Sequence, residues 1–442
     1  MRARWWPGSG AGTDGGPAEV IGVLGRAAGL VTIGSDISPV EIVDGLVEHA
    51  LADRASDIHI EPQEHRVRVR YRVDGVLHEV LQMPLDLAAG VVSRIKVLGG
   101  MDIVEKRRPQ DGQFVYRRGA PPPVDPPDKR AFPSAEDARG ERAVDIRVSA
   151  TLGVNGEKVV LRLLESERRR VRYSDLGMHP ETARAWAVAA GNTSGMLLCS
   201  GPTGSGKTTT LYATLGELDE VGSNLCSIED PVEYVVDTIT QIQINPAIGT
   251  TFAAGLRSLL RQDPDVILVG EIRDPETAKI AVQSALTGHL VLSTVHARDS
   301  VSALYRFLEM GVEPYLVTSS VLVVMAQRLL RRNCPRCLRP SEPTPEQRAL
   351  YLRHGGTPKA EFLAGAGCSF CGGTGYHDRV GVYEMLRMTP SIRALVAEGA
   401  NADVVRFEAV AEGMQTLTTE AVRLVAEDVT TLGEVLRVVA AD

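Results

Sequence analysis

An apolar run, GMLLCS, leads directly into GPTGSGKT, and a stretch of helical spacing follows it. Strand, glycine-rich loop and helix in that order constrain the fold more than any other feature of the chain. Gly201, Gly204 and Gly206 let backbone N–H groups converge on phosphate oxygens, and Lys207 can neutralise β and γ phosphates. The Thr208 hydroxyl stands at a helix N-terminus, where it can hold Mg²⁺. Gly201, Pro202, Thr203, Gly204, Ser205, Gly206, Lys207, Thr208 and Thr209 are therefore the candidate nucleotide-binding residues.

Three more short apolar runs, LCSIED, VILVGE and LVLSTV, alternate with polar or helical sequence. That is the pattern of parallel strands buried between helices. Acids at the carboxyl ends of such strands sit where ligands bind. Glu229 in SIEDPVEY is the candidate general base for water. Glu271 in DVILVGE takes the metal-holding acidic role, because Gly270 stands where many such enzymes carry Asp. His289 and His296 bracket LVLSTV, and His296 is the better placed to sense a γ-phosphate.

Upstream, SPVEIVDGLVEHALADRA predicts a helix with Ser38 as cap, Pro39 at its first position and Glu41 closing a capping box. RVRVRYRVDGVLHEV alternates strictly and turns at Asp74-Gly75, which predicts a hairpin with Arg66, Arg68, Arg70 and Arg72 on one face. In KVVLRLL, Arg162 is the one polar side chain between Val159 and Leu164, so a guanidinium is expected where a sheet buries aliphatic groups. An unpartnered charge there costs several kcal/mol and calls for an anion or open water. Between two strands of this region lies a proline-rich, charged insertion at 118–142, expected to be a flexible loop.

The cysteines pair up as Cys334/Cys337 and Cys368/Cys371, two CxxC motifs suited to tetrahedral Zn²⁺ with all four positions filled by thiolates. Cys199 and Cys226 fall in apolar strands and read as core thiols. A formal charge of −8 argues against a nucleic-acid partner. No run is long and apolar enough for a transmembrane span, the best being VTSSVLVVMAQRLL, which Gln327 and Arg328 interrupt. No signal-peptide core follows the first residues, so the expected location is cytoplasmic.

Taken together, ASDIHIEP, KRRPQDG, GPTGSGKTTTLY, IEDPVEY, RQDPDVILVGEIRD, TGHLVLSTVHARD, AQRLLRRNCPRC and CGGTGYHDRVGVYEML resemble the secretion ATPases of type II secretion and type IV pilus assembly systems. The resemblance implies an α/β fold: a RecA-like P-loop core, a smaller N-terminal α/β domain and a C-terminal zinc-containing, helical region. The expected boundaries are a flexible tail at 1–35, a PAS-like α/β domain at 36–165, a linker at 166–178, the ATPase domain at 179–332, the tetracysteine module at 333–380 and a helical region at 381–442. It also implies a homo-hexamer that uses ATP and Mg²⁺ to drive pilin or pseudopilin assembly. Its partners would be an inner-membrane platform protein, to which it attaches peripherally, and a docking protein. Glu271 becomes the Walker B glutamate and IEDPVEY the Asp box. Arg147 in DIRVS and Arg162 in VVLRLL match the arginines that the N-terminal domain supplies to the nucleotide. The rival readings are a pilus retraction ATPase, a RecA-like DNA translocase and a nucleotide-binding scaffold without catalysis. The tetracysteine module and SDIHIEP favour the assembly or secretion branch, acidic charge counts against DNA, and Lys207, Glu229 and Glu271 together count against a scaffold.

Overall fold

A computed structural model describes residues 31–32, 37–117, 143–165, 171–218, 221–233 and 235–439. The chain divides into two compact units, Met1–Glu167 with Gly367–Thr374, and Arg168–Ala366 with Gly375–Asp442. The insertion at 118–142, most of the tail and the first half of the linker lie outside the described residues.

The first unit is a seven-stranded sheet: β1 (Val31–Thr32), β2 (Asp57–Pro62), β3 (Val67–Val73), β4 (Val76–Met83), β5 (Gln110–Arg117), β6 (Ala143–Gly153) and β7 (Gly156–Glu165), in the order β1-β4-β3-β2-β7-β6-β5. Helix Pro39–Ala52 starts with the capping box read from the sequence, Ser38 and Glu41 each bonding the other's backbone N–H. It packs with helix Asp86–Leu98 on one sheet face, burying Ile42, Leu46, Val67, Tyr71, Val91 and Ile146 among others. The expected hairpin forms, with Val73 opposite Val76 and both Asp74 and Gly75 at positive φ. Lys96 is a fully buried ammonium that ion-pairs with Glu157 and donates to the Glu105 carbonyl across 2.7 Å.

Strand alternation overturns one expectation. Val159, Leu161 and Leu163 point into the core, while Arg162 lies on the opposite, exposed face. Among the described residues of this unit helices cover one side of the sheet only, so an unbroken apolar reading of KVVLRLL does not fit it.

In the second unit, β8 (Gly195–Ser200), β9 (Leu225–Glu229), β10 (Thr240–Gln243), β11 (Val266–Val269), β12 (Leu290–Val295), β13 (Val321–Asn333) and β16 (Tyr376–Arg387) form a sheet ordered β10-β9-β11-β12-β8-β13-β16. Every neighbour pair is parallel except β13 with β16. Apolar clusters cover both faces, one around Leu256, Val291 and Phe307, the other around Trp186, Leu211 and Met325. This explains the uniformly apolar strands in the sequence. A two-stranded ribbon, β14 (Leu338–Ser341) with β15 (Phe362–Gly365), lies between the CxxC pairs.

Three expected boundaries move. Val31–Thr32, placed in the tail, pairs with Leu81 and Gln82 of β4. The end of the linker is core: Tyr173–Asp175 form a short 3₁₀ turn, and Leu176 is buried beside Trp186. Position 380/381 falls inside β16, because that strand belongs to the second unit's seven-stranded sheet and not to a separate helical region. No helix of the described residues is long and apolar enough to cross a membrane. The interrupted run around Gln327 is helix Pro314–Ser320 followed by β13.

Candidate functional site

The loop after β8 turns into helix Lys207–Glu217 through Gly206, whose φ of +89° favours glycine. At Gly201, φ is +144° and a Cβ would stand 2.6 Å from both the Gln327 carbonyl and Ser205 Oγ, so the backbone approaches closely there. Lys207 is buried and donates to the carbonyls of Gly201 (2.8 Å) and Pro202 (2.9 Å). Burial, opposed by the field of Glu271, brings its pKa down to about 8 from 10.5. Pro202, Thr203 and Gly204 are exposed, Ser205 is buried, and Thr208 and Thr209 are half-buried.

Gln327, one strand away on β13, donates its Nε2 to the Ser205 carbonyl across 2.8 Å and so pins the loop from below. Its Oε1 and the Ser205 Oγ are buried without a hydrogen-bond partner among the described residues. Sequence reasoning noted Gln327 as a break in an apolar run and missed this role. The polar interruption itself was the signal.

Glu229 ends β9 and is only 3% exposed. Tyr212 Oη and Ser227 Oγ each donate to it across 2.6 Å, and Gln241 Nε2 reaches both Glu229 Oε1 (3.3 Å) and Tyr212 Oη (3.1 Å). Three donors occupy three of the four lone-pair positions of the carboxylate and leave one on Oε2. Tyr212 and Gln241 were not singled out from the sequence, because they come from a different helix and strand.

Glu271 follows β11. Its Oε1 pairs with Arg273 (2.6 Å) and its Oε2 with His296 Nε2 (3.5 Å), so the structure brings together the expected acid and the expected sensor. Gly270 packs against β9: a Cβ there would lie 3.3 Å from Glu229 Cα and from the Ile228 carbonyl. A side chain there would require β9 to give by a few tenths of an ångström. Arg328, buried, fastens the loop after His296 by donating to the Arg298 carbonyl (2.7 Å). His289 is a capping residue instead, with Nδ1 2.9 Å from the Ser284 carbonyl.

On the open face of the first unit's sheet, Arg72, Asp57, Arg162, Arg147 and Gln113 stand directly opposite one another across β3, β2, β7, β6 and β5. The next carboxylate along β2, Glu61, is ringed by Arg68 (3.0 Å), Arg70 (2.8 Å) and Lys158 (2.9 Å). Burial opposes its ionisation, but hydrogen bonds from Arg70 and Lys158 prevail and bring its pKa to about 2.

The sulfurs of Cys334, Cys337, Cys368 and Cys371 all lie within 4.8 Å of one another. Cys368 and Cys371 are 3.8 Å apart, and the edge of a tetrahedron with Zn–S bonds of about 2.3 Å is about 3.8 Å. The Cys368 N–H donates to Cys371 Sγ across 3.2 Å, the kind of backbone support a thiolate ligand receives. The cluster fits a closed tetrahedral metal site. Cys199 and Cys226 are buried in β8 and β9, as expected for core thiols.

The sequence profile described as Type II/IV secretion system protein matches residues 35–119 and 136–437. The type IV pilus assembly ATPase PilB of Myxococcus xanthus is 41% identical over 406 residues, 91% of this chain and 68% of that protein. The type II secretion system protein HxcR of Pseudomonas aeruginosa is 44% identical over 399 residues, 90% of this chain and 77% of that one. Among solved structures, the ATPase DotB of Legionella pneumophila superposes with a TM-score of 0.63 at 19% identity, covering 92% of this chain and 97% of its own, a likeness of fold.

Proposed function

Because the chain belongs to the Type II/IV secretion system protein family, we propose that it is a Mg²⁺-dependent ATPase that works as a hexamer and drives assembly of a pilin or pseudopilin filament through an inner-membrane platform protein. The observation that carries the reading is that Lys207, Glu229 and Glu271 all follow or end at the carboxyl ends of parallel strands of one sheet, β8, β9 and β11. Ligands bind at that edge of an open α/β sheet. The unpartnered Ser205 Oγ and Gln327 Oε1 add support, since buried polar groups of a phosphate loop complete their hydrogen bonds on a ligand.

In this mechanism Lys207 leaves the Gly201 and Pro202 carbonyls for the β and γ phosphates. Thr208 and Glu271 would hold Mg²⁺, which when bound neutralises charge on the phosphate oxygens. The one open lone pair of Glu229 accepts a proton from water as that water's oxygen bonds to the γ-phosphorus and the bond to the ADP oxygen breaks. Arg147 and Arg162, supplied by a first unit, stabilise the charge that develops on the transferring phosphoryl, a contribution of about 10³ to 10⁵ in rate for such arginines. His296, paired with Glu271, reports the loss of the γ-phosphate. Cys334, Cys337, Cys368 and Cys371 would hold a structural Zn²⁺.

Arg162→Ala tests the reading. ATP binding should stay near that of the parent while turnover disappears, measured by nucleotide titration and by phosphate release. Undiminished turnover would remove the arginine from the mechanism.

A further inference from the structure

Arg162 is 62% exposed, and an exposed arginine samples many rotamers, with about 2 kcal/mol of side-chain entropy to lose on being fixed. Here it is not left to wander. Asp57 Oδ1, directly across the ladder, accepts from Arg162 Nε at 3.1 Å. Asp57 itself is held firmly: its residue is 6% exposed, Ser56 Oγ donates to Oδ2 across 2.8 Å, and Arg72 Nε lies 3.5 Å from the same oxygen. Arg72 is tied in turn to the hairpin turn through the Gly75 carbonyl (3.0 Å). The bond uses Arg162 by its inner nitrogen only. Both terminal Nη groups, the fork that matches phosphate oxygens, have no partner among the described residues.

Nε-only contact is an unusual way to build a stabilising ion pair, which gains most from the bidentate arrangement. It is the arrangement expected of a holder that fixes a guanidinium and leaves its fork for another anion. We infer that Asp57 is a positioning residue for catalysis, fixing Arg162 so that its terminal nitrogens are presented to the phosphates. This rests on the proposed role of Arg162. Misplacing a group by about 1 Å can cost about 10²-fold in rate, so the effect of Asp57 belongs in kcat and not in nucleotide affinity.

The experiment is steady-state ATP hydrolysis by the full chain, with assembly state and melting temperature recorded for each variant. Asp57→Ala should lower kcat about 30-fold with KM for ATP within about twofold. Asp57→Asn keeps an oxygen opposite Nε without the charge, so its kcat should fall between, about three- to tenfold below the parent. Arg72→Ala removes one charged neighbour of Asp57 but leaves Ser56 Oγ on Oδ2 and Arg162 Nε on Oδ1, so its kcat loss should be clearly smaller than that of Asp57→Ala. If Asp57→Ala fails to assemble, Asp57→Asn decides: a kcat loss at constant KM supports the inference, and a parental kcat overturns it. Equal losses from Asp57→Ala and Arg72→Ala would overturn it too, by showing that Asp57 serves the hairpin. Arg162→Ala separates the two levels. If it is inactive while Asp57→Ala is fully active, only this inference falls; if it is fully active, the proposed arginine mechanism falls first.

Discussion

Tyr212 donates its phenolic hydrogen to Glu229 across 2.6 Å, so the helix that starts at the phosphate loop and the strand end that carries the proposed base share one buried hydrogen bond. A change in the loop therefore reaches the base through a single side chain. Tyr212→Phe removes the donor and leaves the ring. The buried carboxylate then loses a partner, at about 1 to 3 kcal/mol. Turnover should fall about tenfold with KM for ATP little changed, measured under single-turnover conditions. An unaltered single-turnover rate would show that the bond serves folding alone.

Lys207 titrates near 8 rather than 10.5 because burial disfavours its ammonium. Phosphates favour the ammonium, so binding takes up a proton wherever free Lys207 is neutral. The sign is fixed: ATP affinity should hold steady below about pH 8 and weaken above it, by up to about tenfold per pH unit. Titration calorimetry at pH 9 in two buffers of different ionisation heat should register proton uptake. A KM for ATP that is flat from pH 7 to 9.5 would contradict this.

The acid limb of stability should carry the signature of Glu61. Its pKa is lowered from 4.5 to about 2, so the stability it contributes is fully present above 4.5 and disappears as pH falls through 2. Glu61→Gln leaves Arg68, Arg70 and Lys158 facing a neutral amide. Urea unfolding at neutral pH should lose about 2 kcal/mol, and the difference from the parent should shrink at pH 2. A difference that is constant with pH would mean the carboxylate charge is irrelevant.

One zinc per chain is expected by elemental analysis of the purified protein, held by Cys334, Cys337, Cys368 and Cys371. Cys371→Ser should strip most of it, and a strong chelator should lower the melting temperature by about 5 °C or more. Metal-free protein of unchanged melting temperature would assign the sulfurs no structural role.

What was legible in the sequence was local. The proposed phosphate loop needs closely spaced glycines and Lys207, the helix at Pro39 needs Ser38 and Glu41, and the thiol cluster needs two CxxC pairs. Each declares itself within a few residues. Gln327 beneath Ser205 and Gln241 beside Glu229 did not, because strand pairing over long separations brings them there, and one sequence without pairing information offers no register. Arg162 was recognised for its chemistry but placed in the wrong environment. Telling a sheet covered on one side from a sheet covered on both requires knowing where the helices go. Gly270 departs from a pattern visible in the sequence, but that β9 approaches it closely was not visible there.

β13 has a further consequence. Gln327, under the glycine-rich loop, and Cys334, just past the strand's last residue, are joined by one extended segment with a register shift between Arg331 and Asn333, roughly 23 Å long at about 3.3 Å per residue. Past Ala326, where its pairing with β8 ends, this extended backbone is held along β16, and an extended chain shortens little under load, so it behaves as a connecting rod. A pull at the sulfur end would be felt beneath the fuel, and a jolt from hydrolysis would travel back along the same rod.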